Sequence, residues 1–272
     1  MEKRMPLWKW FILLIASLVL GFIGYAFLQT LAAQVNNPYL TAAGSIALLL
    51  LYWAGVWLIE RVPAHDLRIG KLLPHTFSGF LIGAAFIAIV VGLIAAAGCA
   101  HVTPNDGFSW KEQAGQLILF LSVGVGEEMV FRGILFRWID RRWGFAAALT
   151  VSALFFGIMH IAQPGASLWS SIAIAIEAGL LLGAAYKWSG TLWMPIGIHW
   201  AWNYFQGNVF GIAVSGIDSL PSFLKTQMTG PELITGGAFG AEASIITVLL
   251  GAAVSAVFIC LYWRRSRKSQ SE

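Results

Sequence analysis

The chain has 272 residues, 58% of them hydrophobic and only 11% charged, against about 25% charged in an ordinary soluble domain. That balance excludes a soluble globular fold and points to a polytopic membrane protein, a class that thirteen tryptophans fit because indole rings favour the membrane–water interface. The formal charge of +4 belongs mostly to residues that anchor helices at one membrane face; with no basic soluble domain and no nucleic-acid motif, no nucleic-acid partner is expected.

The N-terminal stretch MEKRMPLWKW followed by FILLIASLVLGFIGYAFL has the charge order of a signal peptide. Its apolar run is longer than the usual h-region of about 7–15 residues, so it is expected to stay as an uncleaved first span. A spanning helix needs about 20 mostly apolar residues. Breaks at Asn36-Asn37-Pro38, Pro63, Pro74, the polar 101–112 stretch, Gly144, Pro164 and Gly190 divide the chain into spans at 8–32, 40–60, 76–98, 113–137, 145–162, 168–187, 191–207 and 243–263. The fold class expected is all-α, a membrane helix bundle of eight spans and one domain over 1–272. The Gly- and Ser-rich segment 208–242 is too polar to span and is expected as an external loop.

Cytoplasmic loops carry an excess of Lys and Arg. Placing the N-terminus in the cytoplasm with Lys3, Arg4 and Lys9 puts Arg61, Arg68, Lys71, Arg132, Arg137, Arg141, Arg142, Lys187, Arg264, Arg265, Arg267 and Lys268 on the same side. Fifteen of the seventeen basic residues then share one face, and only Lys111 and Lys225 lie outside. Both termini are expected to be cytoplasmic. Cys99 and Cys260 fall near opposite faces, which argues against a disulfide or a shared metal.

Ionisable groups inside a membrane cost ~2.5–3.5 kcal/mol each on insertion scales and mark candidate sites. The fourth span carries Glu127, Glu128 and Arg132, the fifth ends on His160, and the seventh holds His199 and Asn203. Glu128 and Arg132 are four apart, share a helix face and can pair. Glu127 is rotated about 100° away and has no such local partner. His199 and Asn203 fall on one stripe, as do Phe156 and His160. Glu127 as a base taking a proton from water, with the His and Asn side chains as oxyanion donors, makes a hydrolytic site. Glu127, His160 and His199 can alternatively be a His₂Glu set for Zn²⁺ with an open water position. Glu177, alone on the sixth span, reads as packing or as the lining of a polar cavity; His65, His75 and His101 carry no expected role.

EEMVFR (Glu127 to Arg132), FGIMH (Phe156 to His160) and HWAWN (His199 to Asn203) fit Glu-Glu-x-x-x-Arg, Phe-x-x-x-His and His-x-x-x-Asn motifs in order on successive helices. Together they resemble the CPBP family, which includes CAAX prenyl endopeptidases of the Ras-converting type and bacteriocin-processing or immunity proteins. The similarity covers a core at 113–210. It implies Glu127 as the water-activating carboxylate, Glu128 and Arg132 as its supporting pair, His160 as a further catalytic residue, and His199 with Asn203 as the oxyanion-stabilising pair. Both metal-free and zinc-dependent hydrolysis stay open, since the chain lacks a His-Glu-x-x-His helix and places Asn203 where a further strong ligand would be useful.

The expected function is therefore an intramembrane endopeptidase acting on a peptide or lipidated protein substrate, prenylated or not, among membrane lipids in the plasma membrane of a bacterium. Two other classes remain open. A proton- or ion-coupled transporter would use Glu127, His160 and His199 as a relay, with Gly124 and Gly126 loosening the helix. A catalytically silent immunity or binding protein would keep the motifs without turnover.

Overall fold

The computed structural model describes residues 5–35, 37–218 and 221–271. Lys3 and Arg4, two of the basic residues assigned to the cytoplasmic face, and Asn36 in the first expected break lie outside the described residues. The chain is an integral, multi-pass membrane protein built almost entirely of helices.

The first helix, α1 (Leu7–Val35), is apolar over most of its surface, as suits a helix facing hydrocarbon. The second, α2 (Pro38–Gly55), starts where Asn37 Oδ1 accepts from the backbone N–H groups of Tyr39 and Leu40, with Pro38 at the first helical position. It runs on through a π-helical turn, Val56–Glu60, and stops at Arg61 in a left-handed conformation (φ 54°). Two 3₁₀ turns lead into α3 (Leu72–Ala96). A short strand, β1 (Ala100–Pro104), follows.

The next helix, α4 (Trp110–Glu128), passes directly into a π-helical stretch, Met129–Phe136, and then α5 (Arg137–Trp143). After Gly144 comes α6 (Phe145–Met159), ending in a 3₁₀ turn at His160–Ala162. A reciprocal Ser167–Ser170 capping box opens α7 (Leu168–Ile174), which continues through a π segment, Ala175–Leu180, into α8 (Leu181–Ser189). Then come α9 (Trp193–Tyr204) with a final π turn at Phe205–Val209, strand β2 (Leu224–Met228), the single turn α10 (Glu232–Thr235) and the long α11 (Ile245–Ser271).

Among the described residues, six helices are long and apolar enough to cross a membrane: Leu7–Leu31, Pro38–Glu60, Ile69–Ala96, Phe145–Ala162, Leu168–Ser189 and Ile245–Lys268. The two expected spans that fall short, 113–137 and 191–207, are helical but differ in surroundings. The π stretch after α4 is buried at all eight positions, and α9 is buried at every position but Trp200. Helices enclosed by protein need no continuous apolar surface, so polar groups are tolerated on them.

Close backbone approach sets α9 in place. Gly79 and Gly83, spaced as a G-x-x-x-G pair on α3, lie against the carbonyls of Met194 and Ile198, and Gly197 lies against the carbonyl of Thr76. A Cβ at any of the three would overlap that carbonyl, so small residues let two membrane helices meet backbone to backbone.

The two ends of the bundle differ. At one, Arg137 and Arg141 both pair with Glu60, Lys187 Nζ pairs with Asp140 at 2.6 Å, and Arg142 donates to the carbonyl of Met5. At the other, β1 and β2 form an antiparallel ribbon in register from Ala100↔Met228 to Pro104↔Leu224. The ribbon is an addition to the all-α expectation, and the 208–242 segment read as a loop contains β2 and α10. Cys99 and Cys260 are both free.

Candidate active site

Glu127 and Glu128 sit in the last turn of α4, adjacent in sequence but facing different partners. Glu128 is fully buried; its Oε1 accepts from Arg132 Nη1 at 2.8 Å and lies 2.9 Å from His199 Nδ1 on α9. A carboxylate held by a guanidinium is an acceptor, so Nδ1 carries the proton of that contact and the ring is fixed with Nε2 outward. Arg132, also fully buried, donates through Nη2 to the carbonyls of Gly179 at 3.1 Å and Ala178 at 3.4 Å. Its guanidinium lies 4.6 Å from the centre of the Phe156 ring. Glu128 is thus more than the partner of Arg132 that helical spacing suggests: it orients a histidine from a different helix.

Glu127 faces a cavity of about 360 Å³. Its Oε1 accepts from the Tyr25 hydroxyl of α1 at 2.9 Å. Its Oε2 has no hydrogen-bond partner among the described residues and lies 3.9 Å from His199 Nε2. The helix-local reading left Glu127 without a partner; the partner comes from 102 residues upstream. Gly126 makes that possible, because a Cβ there would lie 2.5 Å from Tyr25 Cε2 and closer still to Cδ2. Close approach thus accounts for Gly126, whereas a Cβ at Gly124 would make only ordinary contacts with the backbone of α9 at Ile196 and Trp200.

His160 caps α6, and its Nδ1 lies 2.7 Å from the carbonyl of Phe156. A carbonyl can only accept, so Nδ1 is the donor and Nε2 keeps its lone pair when the ring is neutral. His160, His199 and Asn203 all line the same cavity as Glu127. The structure thus brings the four proposed catalytic side chains around one space, with Glu128 and Arg132 behind it. Glu177 lies elsewhere: it is fully buried, does not line this cavity, and neither carboxylate oxygen has a partner among the described residues. His75, given no role, contacts the Thr191 hydroxyl at 2.7 Å.

As placed, Glu127, His160 and His199 do not form a ready zinc set: among the described residues no three His, Cys, Asp or Glu side chains stand close enough together to hold a metal ion. The contact of His199 Nδ1 with Glu128 does not itself count against a metal, since it leaves Nε2 free, as in a metal-bound histidine braced by a carboxylate.

Two lining groups escape the motifs. Tyr25 is one; with Gln29 four residues on, it forms a polar stripe on an otherwise apolar span, a signal that the spacing alone contains. The other is Glu242, which enters from the segment before α11 and lines the cavity with Val214, Ser215 and Ile217. The backbone N–H of Ser215, in left-handed conformation (φ 46°), donates to Glu242 Oε2 at 2.5 Å. Burial pushes the Glu242 carboxyl up to about 7, against the Ser215 hydrogen bonds that pull it down. Nothing in the local sequence GAFGAEAS marks this residue.

Residues 110–205 match the family model described as type II CAAX prenyl endopeptidase Rce1-like. This segment holds every motif residue around the cavity. The likeness to that family thus covers about a third of the chain. A Bacillus subtilis (strain 168) protein named "Putative membrane peptidase YdiL" is 28% identical over 130 residues, 47% of this chain and 48% of that protein. The chain therefore matches about half the length of that relative. No solved structure matches the chain. Within the matched segment lie Glu127, Glu128, Arg132, His160, His199 and Asn203, whereas Tyr25 and Glu242 reach the cavity from outside it.

Proposed function

We propose that this protein is an intramembrane endopeptidase that hydrolyses a peptide bond in or near a membrane-associated substrate. The observation that carries the proposal is Glu127, a cavity-lining residue whose buried Oε2 has no hydrogen-bond partner among the described residues and lies 3.9 Å from His199 Nε2 while its other oxygen is held by Tyr25. Glu127 takes a proton from water as the water oxygen attacks the scissile carbonyl carbon, and His160, with its free Nε2 lone pair, orients that water. The carbonyl oxygen becomes an oxyanion. Asn203 donates to it through its amide N–H, and His199 donates through Nε2 in its imidazolium form, since Nδ1 is already given to Glu128. Collapse of the tetrahedral intermediate breaks the C–N bond, and the proton held by Glu127 passes to the leaving amine.

Eight crossings with both termini cytoplasmic belong to the same proposal. The contacts that support it are Glu60 with Arg137 and Arg141, Asp140 with Lys187 and Met5 with Arg142, all between segments assigned to the cytoplasmic face, and the β1–β2 ribbon between two assigned to the other. In that arrangement the cavity, lined by Gln163, Ser215 and Glu242, lies toward the outer face. Such a placement favours peptides presented from the outer half of the membrane over a cytosolic prenylated C-terminus.

The test is single-turnover cleavage of a fluorogenic membrane-peptide panel by purified protein. Activity lost in Glu127→Gln and unchanged by a chelator is the expected result. Equal cleavage by Glu127→Gln and wild type would overturn the assignment of the base, and loss on chelation with recovery in zinc would transfer water activation to a metal.

A further inference from the structure

The matched segment supplies the carboxylate but not the group that holds it. The Tyr25 hydroxyl donates to Glu127 Oε1 at 2.9 Å, and among the described residues this is the one hydrogen bond shown to the Glu127 carboxylate. The phenol reaches it by lying across Gly126, where any side chain would collide with the ring. Two independent features of the chain therefore agree on one arrangement: a tyrosine in the first helix and a glycine immediately before the first glutamate. An apolar contact between α1 and α4 would need neither the hydroxyl nor the absent Cβ. Burying a phenol in a membrane helix without a partner is unfavourable, and the carboxylate is the partner it has.

We infer that Tyr25 is a positioning residue for the water-activating carboxylate, and that α1 is in this way part of the active site. The inference rests on the reading of Glu127 as the base. A carboxylate has two equivalent oxygens and a freely rotating terminal bond, so an unrestrained Glu127 could offer either oxygen to water in many directions. With Oε1 fixed by the hydroxyl, Oε2 is the oxygen left without a hydrogen bond, 3.9 Å from His199 Nε2. Holding the base in one orientation lowers the entropy that must be lost when the reacting atoms align. Chemistry slows when that restraint is removed, while binding of the peptide, which does not touch Tyr25 Oη in this scheme, changes little.

The experiment uses the full-length protein in detergent or nanodiscs, with Tyr25→Phe as the main variant because it keeps the ring and removes only the hydroxyl. A hydrogen bond to a charged group contributes about 1.5–3 kcal/mol, so kcat is expected to fall roughly 10- to 100-fold with KM changed by less than about threefold. Gly126→Ala, which displaces the ring while leaving Glu127 intact, is expected to reproduce that split. A second readout does not need turnover. Infrared difference spectra between wild type and Glu127→Gln isolate the Glu127 carboxylate band, and its antisymmetric stretch is expected to move up in Tyr25→Phe as the hydrogen bond is lost.

A folded Tyr25→Phe protein with an unmoved Glu127 band overturns the inference, as does an unchanged kcat where Glu127→Gln is inactive. If Glu127→Gln cleaves like wild type, the proposed function fails, and the infrared shift still decides whether Tyr25 holds the carboxylate.

Discussion

Removing Arg132 gives the sharpest test of how the site is held together. Arg132→Met keeps an unbranched side chain of similar length but takes away Nη1, which donates to Glu128 Oε1 at 2.8 Å, and Nη2, which donates to the Gly179 carbonyl at 3.1 Å. Glu128 remains at 0% exposure, so its charge cannot be rescued by solvent. Breaking a buried pair from one side typically costs about 3–5 kcal/mol. Here His199 Nδ1, 2.9 Å from the same oxygen, still offers one donor, which places the expected cost near the lower end, about 3 kcal/mol. For a chain of this size that is a fall in Tm of roughly 6–12 °C. Thermal unfolding in one detergent, followed by intrinsic tryptophan fluorescence, measures it. Glu128→Gln combined with Arg132→Met removes the orphaned charge, so the double variant should recover at least about 1 kcal/mol relative to Arg132→Met alone. A single variant within about 0.5 kcal/mol of wild type, or a double variant less stable than Arg132→Met, would refute the view of Glu128 as a buried carboxylate that depends on Arg132.

The close contact of α3 with α9 predicts that Gly83→Ala, whose Cβ would meet the Ile198 carbonyl, destabilises by about 1–3 kcal/mol and lowers kcat by moving His199; Gly92→Ala, on the same helix with nothing within 4 Å, serves as the control and should leave kcat within error and stability unchanged or raised by up to about 1 kcal/mol. A carboxyl pushed up to about 7 binds its proton more tightly folded than unfolded, so its contribution is present below the unfolded value near 4.3 and is lost as pH rises through about 7. Wild-type stability should therefore fall between about pH 4.5 and 7 by up to ~3 kcal/mol, Glu242→Gln should flatten that slope, and equal slopes in the two proteins would show that Glu242 is not the titrating group.

What the sequence discloses about the site follows the range of each interaction. Glu128 and Arg132 are four apart on one helix, so their pairing is written in the spacing. The bond from Tyr25 to Glu127 crosses 102 residues, and the contact of Glu128 with His199 crosses 71; no local pattern specifies either. The same limit hides the ribbon. The five residues of β1 sit in a polar stretch, and their partners in β2 lie more than a hundred positions further on. Hydropathy finds the lipid-facing helices because lipid imposes one requirement on every exposed position. It marks α4 and α9 more weakly, because their inner positions face protein and their composition is set by the cavity.

That weaker signal has a physical meaning for the site. A carboxylate, a guanidinium and two imidazoles could not be placed on α1 or α11 facing hydrocarbon without large cost. Enclosed by α1, α3 and the helices from α6 to α8, the same groups supply one another with donors and acceptors: Arg132 and His199 both meet Oε1 of Glu128, Phe156 anchors His160 through its carbonyl, and Tyr25 meets one oxygen of Glu127. The network is not closed: Glu127 Oε2, Glu128 Oε2 and Arg132 Nε are buried without a hydrogen-bond partner among the described residues. Of these three groups only Glu127 lines the cavity, together with His160 and His199, and its Oε2 lies 3.9 Å from His199 Nε2. Of the two adjacent carboxylates, Glu127 is therefore the one placed beside the space that a substrate would enter, which is what the proposed hydrolysis needs of its base.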